Sequence, residues 1–518
     1  MNQVWNIFRK DFRHHWREIA VSVALMVAFC WVEVREWSQQ LSRAFGPAAA
    51  AYEILSSLVV PLVPISWMLL IVRVVQGESL VGDKQFWVTR PYDWKKLAAA
   101  KILFVLVFVN LPLFLADLFL LAMAGFRPWA YFGGLLWMQL LWIFMLLLTT
   151  AALAAVTAGI GQVLLLLLFI LLYAIAMSAV AGAIPNYSFG AGVGIYFLLI
   201  IVTALAVLLV QYSRRRTVLS RWMIAGLAIA LTLIMVATPY RTLIERKYPP
   251  ASAADFPLQL VLTPTHAPAP DEAMFNGNSV PISLFFRLSG LPQDSFAQLD
   301  GAILTLTNSN GQHWDSGWSG RNALLFPDQK VTSIDFGLRR DVFERMKSSP
   351  THARLFLAFT LFQEKQQRPF TVPRGEFAMP ELGLCTAGPQ PWQAVSSLEC
   401  RVPLRSPRFL LIKSEVAEST CPLPKDVAPA QPGEIARGYV RNGDVGPAEA
   451  GISPVKTVTV LLYDWNSPNS HINPGICAGS PLTLSDPEEV GTHRVEFQFD
   501  NFSLANYQRS SGAIQVWH

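Results

Sequence analysis

With 518 residues, the chain is long enough for two or more domains. Hydrophobic residues make up 52% of it and charged residues only 15%, against roughly 25% charged residues in a typical soluble domain. The net charge of +5 is modest, and no Lys/Arg-rich run alternates with aromatic residues, which argues against nucleic acid as a partner. The apolar runs lie between Ile19 and Pro239, whereas the composition after Pro250 is that of a secreted domain. We therefore expect a membrane part followed by a part outside the membrane.

Residues 1–18 predict an amphipathic helix that lies in the membrane interface. At helical spacing Trp5, Phe8, Phe12 and Trp16 fall on one stripe, and basic residues occupy its flank and far side. The alternative is a simple cytoplasmic start to the first membrane span. The segment is too long and too charged for a cleavable signal peptide.

Seven apolar runs are predicted to cross the membrane, because hydrocarbon roughly 30 Å thick needs about 20 apolar residues in a helix. Only residues 158–162 separate the fourth run from the fifth, so these form a tight helical hairpin or the count changes by one. Pro61, Pro64 and Pro112 should kink their helices. The predicted spans are Ile19–Val34, Ile54–Val75, Ala98–Ala124, Trp129–Thr157, Val163–Ala183, Ala191–Val210 and Trp222–Thr238.

The placement of Lys and Arg predicts the orientation of these spans. With the N-terminus in the cytoplasm, fourteen basic residues fall in inside segments and three in outside segments before the last span. Arg241, Arg246 and Lys247 follow the last span, and counting them as outside gives fourteen basic residues inside against six outside. An odd number of spans then places the C-terminal half outside the cytoplasm.

The longest predicted cytoplasmic loop runs from Arg73 to Lys101 and carries aromatic side chains that are costly to expose to water. A partner surface or the lipid headgroup region would cover Phe86, Trp87 and Trp94. Pro91 breaks the chain, and Asp93 is placed to cap the helix that follows.

In this loop the run Phe86-Trp87-Val88-Thr89-Arg90-Pro91, followed by Leu97 and Lys101, resembles the Phe-Trp-x-x-Arg-Pro pattern of one bacterial branch of the type-2 ABC exporter permeases. The resemblance covers about residues 1–215: an interfacial helix, two spans, a cytoplasmic coupling segment and four further spans. It implies a permease subunit of the bacterial cytoplasmic membrane that forms a homodimer or pairs with a related permease. A separate ABC subunit would bind ATP, and this chain would contact it through a coupling loop of Gly82, Asp83, Phe86, Trp87, Arg90, Pro91 and Trp94.

The seventh span with its linker (216–250) and the outer region (251–518) depart from that six-span pattern. They leave open whether the subunit transports. The alternative is a membrane-anchored binding or sensor protein in which the helices merely hold the outer domain.

Few polar residues interrupt the predicted spans, and Asp117 is the intramembrane carboxylate among them. Such a group is a candidate functional residue that could bind a substrate cation or relay protons. A neighbouring helix could equally satisfy the hydrogen bonds of this carboxyl group, or the group could lie close enough to the membrane surface to contact water. Gln139 and Gln162 are the other polar residues noted in or at the edge of a span.

After Ala251 the hydrophobic pattern changes to period two, for example at Ile282, Leu284 and Phe286, and again at Val495, Phe497 and Phe499. This pattern, with Gly/Pro/Asn/Asp turns between the runs, predicts an antiparallel β-sandwich. The region is long enough for two lobes, with a break near Pro369–Pro391. Trp314 and Trp318 could belong to a binding loop or to the packed interior.

Cysteine placement agrees with an outer C-terminal half. Cys30 lies alone in an apolar run, whereas Cys385, Cys400, Cys421 and Cys477 all follow Pro250. Four cysteines outside the cytoplasm favour two disulfides, with three connectivities open. Unpaired thiols or a zinc site are the alternatives, although no CxxC pair occurs.

The chain contains no GxxxxGK[ST] phosphate loop, no HExxH motif, no GxSxG elbow and no acidic calcium loop. We therefore expect no catalytic centre, resident metal or cofactor in this chain, and ATP would be bound by the partner subunit.

Overall fold

The computed structural model describes residues 2–40, 47–77, 93–184, 193–251, 258–263, 279–329, 331–380, 382–389, 396–404, 409–415, 435–441, 452–462 and 476–507. Helices occupy the described part of the chain up to Lys247, and strands dominate after it. The predicted combination of a helical membrane part and a β-rich C-terminal region is confirmed.

Three helices open the chain: α1 (Asn2–His14), α2 (Trp16–Gln40) and α3 (Pro47–Gln76). Helix α2 runs along α3, and Met26 and Phe29 share a buried cluster with Val63 and Trp67 of α3. The first predicted span, Ile19–Val34, therefore lies in a helix that packs within the bundle.

Six helices among the described residues are long and apolar enough to cross a membrane, so the predicted count of seven is wrong. The first predicted span is the one that does not qualify. Glu18 and Glu33 leave uncharged residues only from Ile19 to Val32, which is roughly 20 Å of helix against hydrocarbon roughly 30 Å thick. The six are Ile54–Gln76, Trp94–Met123, Pro128–Val156, Ile160–Ala181, Gly194–Arg214 and Thr217–Ala237.

Two of these six combine several helical segments. The first joins α4 (Trp94–Val105) to α5 (Leu111–Met123) through a π-helical turn at Leu106–Asn110. The second begins with a 3₁₀ turn at Pro128–Tyr131 and joins α6 (Phe132–Trp142) to α7 (Leu148–Val156) through a π-helical turn at Ile143–Leu147. The remaining described helices before the β-rich region are α8 (Ile160–Ala183), α9 (Val193–Arg214), α10 (Thr217–Ala237) and α11 (Tyr240–Lys247).

Helix α1 and the short turns at 157–159 and 215–216 lie at one end of the bundle. Lys101 Nζ donates to Asp11 Oδ2 at 2.7 Å. Gln76 Nε2 donates to Thr157 Oγ1 at 3.0 Å, and Arg221 Nη2 donates to the Val156 carbonyl at 3.2 Å. These contacts join helix ends that the sequence assigned to one side of the membrane, and we refer to this as the α1 end.

The opposite end of the bundle contacts the β-rich region. Leu384 packs so closely on the turn after α5 that a Cβ atom at Gly125 would lie 2.6 Å from its Cδ1 atom. A Cβ atom at Gly134 would lie 3.6 Å from Leu404 in the same way. Because α4 and α5 form one span of 30 residues, these contacts lie roughly 45 Å from the start of α4.

The described residues of the β-rich region form three antiparallel sheets. A seven-stranded sheet has the order β12-β11-β14-β7-β3-β4, with β5 also paired to β3, and it accompanies a three-stranded sheet β1-β2-β6 and a four-stranded sheet β13-β10-β9-β8. The strands are β1 (Gln259–Thr263), β2 (Ser279–Ser289), β3 (Ser295–Asn308), β4 (His313–Asp315), β5 (Ser319–Leu325), β6 (Val331–Arg339), β7 (Thr351–Thr371), β8 (Glu376–Met379), β9 (Gly383–Pro389), β10 (Ser396–Pro403), β11 (Phe409–Glu415), β12 (Ile435–Arg441), β13 (Val455–Val460) and β14 (Pro481–Phe502).

The large sheet packs against both smaller sheets in a sandwich-like way. Phe286 of the three-stranded sheet shares one buried cluster with Leu304 and Phe359 of the large sheet. Leu398 of the four-stranded sheet shares another with Ile412. Strands β7 and β14 pair along both clusters, and the predicted division into two lobes stays a prediction. A short helix, α12 (Arg340–Met346), lies between β6 and β7.

Backbone hydrogen bonds fasten the segment after the last span to β14. The Arg494 amide donates to the Pro249 carbonyl at 2.8 Å, and the Ala251 amide donates to the Arg494 carbonyl at 2.9 Å. Thr492 Oγ1 also donates to the Lys247 carbonyl at 2.7 Å. Helix α10 is therefore joined to the β-rich region through ordered backbone pairing.

Candidate functional sites in the helical bundle

A cluster of three polar side chains lies inside the helical bundle. Asn110 Nδ2 donates to Gln139 Oε1 at 3.0 Å, and Gln139 Nε2 donates to Asp117 Oδ2 at 3.2 Å. Asp117 has no exposed surface, and Asn110 and Gln139 are also buried. We refer to Asn110, Gln139 and Asp117 as the polar cluster.

The local helix geometry places these side chains opposite one another. Asn110 ends the π-helical turn that precedes Pro112, and Gln139 lies one turn before the second π-helical turn on the facing helix. Single π-helical turns occur frequently at functional sites, because they change which side chains face a neighbouring helix. Two such turns flank the polar cluster.

The polar cluster has more acceptor oxygens than donors to satisfy them. Asp117 Oδ1 and Asn110 Oδ1 are both buried and have no hydrogen-bond partner among the described residues. A carboxylate without a counter-charge is costly inside a membrane. The two free oxygens can therefore accept hydrogen bonds from a ligand or coordinate a cation, and the carboxylate of Asp117 can bind a proton.

This geometry resolves part of the prediction for Asp117. The carboxyl group is buried in the protein and so is not wet, and a neighbouring helix satisfies only one of its oxygens. Asn110 was missed by the sequence reasoning, although its spacing of seven residues before Asp117 places both on one helix face. Gln162 does not join the cluster, because its Oε1 accepts from the Ala158 amide at 2.8 Å in the hairpin turn.

A second group of buried polar residues lies at the α1 end. Lys101 Nζ donates to Asp11 Oδ2 at 2.7 Å and to the Val74 carbonyl at 2.9 Å. The side chains of Lys101 and Asp11 are only 8% and 4% exposed. His15 is buried beside them, and this burial, followed by the effect of His14, lowers the pKa of His15 from its ordinary value. Sequence reasoning missed the pair, because its members are ninety residues apart.

The aromatic stripe predicted for residues 1–18 is divided between two environments, and its last member, Trp16, begins α2 because α1 ends at His14. Phe8 is buried and stacks on Phe108 with ring centroids 5.6 Å apart. Trp5 and Trp16 are 57% and 54% exposed, and Phe12 is 42% exposed although it also stacks on Phe108. One side of α1 thus packs on the bundle, and an exposed aromatic side remains beside basic residues.

Most of the predicted coupling loop lies outside the described residues, including Gly82, Asp83, Phe86, Trp87, Arg90 and Pro91. The described residues resume at its end. Asp93 caps α4 as predicted, with its Oδ1 accepting from the Lys95 amide at 3.1 Å. Trp94 is 36% exposed, and Lys95 Nζ lies 5.8 Å from its ring centroid.

Cys385 and Cys400 form a disulfide between directly opposed positions of β9 and β10. Cys477 is also disulfide-bonded, whereas Cys421 lies outside the described residues. Cys30 is free and buried. The cysteine prediction is therefore confirmed for the pair that the structure describes.

The two tryptophans considered for a binding loop pack instead. Trp314 lies against the buried cluster between the large and three-stranded sheets. Trp318 stacks on Tyr248 with ring centroids 6.0 Å apart and covers Gly301, where a Cβ atom would lie 2.2 Å from the indole. Among the described residues no three His, Cys, Asp or Glu side chains come together in a way that could hold a metal ion.

Comparison of the chain with protein-family models gives no match, and comparison with curated proteins gives none either. The structure itself defines a multi-pass membrane protein with a β-rich C-terminal region.

Proposed function

We propose that the chain is the membrane-spanning permease subunit of an ABC exporter and that a separate cytoplasmic ATPase drives it. The observation that supports this most is the arrangement at the α1 end. An amphipathic helix with an exposed aromatic side is fixed beside both Val74 and Lys101, which flank the loop carrying the Phe-Trp-x-x-Arg-Pro run. An interfacial helix next to such a loop is the arrangement that the resemblance to type-2 permeases implies.

Charge placement supports a cytoplasmic α1 end. Basic residues from α1, from the start of α4 and from the turn between α9 and α10 belong to helix ends at this side of the bundle. An excess of Lys and Arg is typical of cytoplasmic segments. Helix α2 runs beside α3 away from the α1 end, so the series of six qualifying helices begins and ends at the opposite end of the bundle. The β-rich region contacts that opposite end, which in this proposal faces an oxidising compartment where a disulfide such as Cys385–Cys400 persists.

In this proposal each part of the chain has a role. The loop around Phe86 and Trp87 docks on the ATPase, and the helices pair with a second copy or a related permease in the bacterial cytoplasmic membrane. The polar cluster lies where a substrate passing the bundle would meet it. The β-rich region binds the substrate or a partner outside the cytoplasm.

Affinity purification in mild detergent tests the proposal. We expect an ABC ATPase to co-purify with the wild-type protein and to be lost from the double variant Phe86→Ala/Trp87→Ala. Trp129→Ala is a matched control, because Trp129 is 75% exposed at the opposite end of the bundle. Failure to recover any ATPase with intact wild-type protein would refute the permease role and favour a membrane-anchored binding protein.

Orientation is tested separately. A reporter fused after Pro250 should be active only in its extracytoplasmic form. Activity of a cytoplasmic reporter at that position would refute the proposed orientation.

A further inference from the structure

We propose that Asp117 is a proton-binding site, in which the carboxyl group holds a proton while α5 and α6 are packed together and releases it when they separate. The proton is held within the polar cluster of Asn110, Gln139 and Asp117. Binding of the proton is a property of the chain itself, whereas the use of its release in a transport cycle rests on the proposed function.

The surroundings of Asp117 disfavour an ionised carboxyl group. The side chain has no exposed surface, and its Oδ1 atom is buried without a hydrogen-bond partner among the described residues. The hydrogen bond that reaches Oδ2 comes from a neutral amide, Gln139 Nε2, at 3.2 Å. A buried negative charge is costly unless a cation or several donors compensate for it, and the cost is greater inside a membrane.

The elements packed against α5 supply no counter-charge among the described residues. These elements are α2, α6 and the 3₁₀ turn before α6. Helix α6 has no titratable residue. The titratable groups near the outer half of α5 are Cys30, Glu33 and Arg35 on α2, with Arg127 and Tyr131 at the turn. Arg35 is exposed over the ring of Trp31, 5.9 Å from its centroid, and Arg127 is exposed as well.

Neither a metal cation nor an organic ammonium group fits the cluster as the helices are packed. The free oxygens, Asp117 Oδ1 and Asn110 Oδ1, belong to residues two turns apart, roughly 10 Å along the helix axis. Metal cations that prefer oxygen need about six ligands around one point. Both oxygens are enclosed, so an ammonium group has no room beside them. A proton needs neither a set of ligands nor a cavity.

The polar cluster can bind a proton while its side chains stay in place. With Asp117 ionised, hydrogen bonds run from Asn110 to Gln139 and from Gln139 to Asp117. Turning both amide groups over exchanges nitrogen for oxygen at nearly the same positions. Protonated Asp117 then donates from Oδ2 to the oxygen of Gln139, and the nitrogen of Gln139 donates to the oxygen of Asn110. One proton from water thus forms an O–H bond and converts a buried negative charge into a neutral chain of hydrogen bonds.

The proton exchanges towards the end of the bundle that contacts the β-rich region. Asp117 lies roughly 12 Å of helix before Gly125, which contacts that region, and much farther from the start of α4. Leu121 follows Asp117 by one helical turn, and Leu135 precedes Gln139 by one turn on the facing helix. Both leucines are completely buried. They close the cluster from that end until α5 and α6 separate.

Difference infrared spectroscopy of the full chain in lipid nanodiscs tests the site. The carbonyl stretch of a protonated carboxyl group is well separated from the bands of a carboxylate. At neutral pH we expect a protonated-carboxyl band in the wild-type protein that Asp117→Asn removes. Asp486→Asn is a matched control, because Asp486 is exposed on β14 and its loss should remove a carboxylate band instead.

The dependence of folding on pH gives a second readout. The packed state binds the proton and the unfolded state releases it above about pH 5, so raising the pH should weaken folding. We expect the folding constant of the wild-type protein, measured in detergent, to fall by up to about tenfold per pH unit more steeply than that of Asp117→Asn. If Asp117→Asn fails to fold, loss of the acid band from wild-type protein at alkaline pH still reports the site.

Three results would overturn the proposal. The first is a carboxylate band for Asp117 at neutral pH, and the second is the same pH dependence of folding in wild type and Asp117→Asn. The third is loss of the acid band on addition of sodium, calcium or an alkylamine at constant pH, which would assign the site to a cation. None of these measurements uses an ATPase, so failure of the proton site leaves the proposed function standing, and absence of an ATPase partner leaves the proton site standing.

Discussion

Replacing Gln139 by leucine should destabilise the helical bundle, because this side chain makes both hydrogen bonds of the polar cluster. It accepts from Asn110 at 3.0 Å and donates to Asp117 at 3.2 Å. In Gln139→Leu, Asn110 Nδ2 and Asp117 Oδ2 would lose these partners in a buried site. Each of these two side chains already has one oxygen atom without a hydrogen-bond partner among the described residues, so the substitution would leave a second polar atom unpaired in each.

The expected loss follows from two interhelical hydrogen bonds. Such bonds within membranes average about 0.6 kcal/mol and reach about 1.7 kcal/mol, so two of them amount to about 1–3 kcal/mol. Titration with sodium dodecyl sulfate in mixed micelles, followed by tryptophan fluorescence, measures this change in the free energy of unfolding.

A triple variant separates the structural role of the polar cluster from a functional one. Asn110→Leu/Gln139→Leu/Asp117→Leu removes every polar group of the cluster, so no buried donor or acceptor of these side chains is left unpaired. We expect it to unfold at or above the wild-type concentration of detergent and to lose transport. Asp117→Asn should fold like wild type but transport poorly.

Two results would refute this reasoning. An unfolding free energy of Gln139→Leu within about 0.5 kcal/mol of wild type would mean that its two hydrogen bonds are not formed, since changes of that size are typical of neutral surface substitutions. Full transport by the triple variant, or by Asp117→Asn, would show that the polar cluster only holds helices together.

Three further predictions concern other parts of the molecule. Burial lowers the pKa of His15, so as the pH falls through and below the ordinary value of 6.5 the imidazole is protonated more readily when α1 is detached than when it is packed. Acid should therefore favour detachment of α1 and accelerate its proteolysis, and His15→Gln should abolish this pH dependence. Wild-type protein from intact cells should resist a thiol-reactive polyethylene glycol at Cys385 and Cys400, and labelling there without reductant would contradict an oxidising location. Gly301→Ala should lower stability by about 1–3 kcal/mol, because the new methyl group meets the Trp318 indole; Trp318→Ala in the same chain should recover part of the loss, and a purely additive double variant would contradict the clash.

The sequence by itself determined the class of each half of the chain. Apolar runs near bilayer length have few soluble explanations, and alternation such as that around Ile282 and Phe286 matches one face of a sheet. Local signals near helix ends were equally readable, since the Asp93 cap depends on residues two positions apart. The failure in counting spans concerns α2, where Glu18 and Glu33 limit the uncharged run to Ile19–Val32, which is shorter than the hydrocarbon thickness of a bilayer.

Only the tertiary structure decided which distant residues meet. Asp11 and Lys101 are ninety residues apart, and Asn110, Gln139 and Asp117 belong to two helices whose facing sides depend on π-helical turns. Hydropathy shows that a helix crosses the membrane but not how it is rotated about its axis. Rotation is set by packing between neighbouring helices, and for that reason the polar cluster and the buried ion pair of Asp11 and Lys101 become visible only in three dimensions.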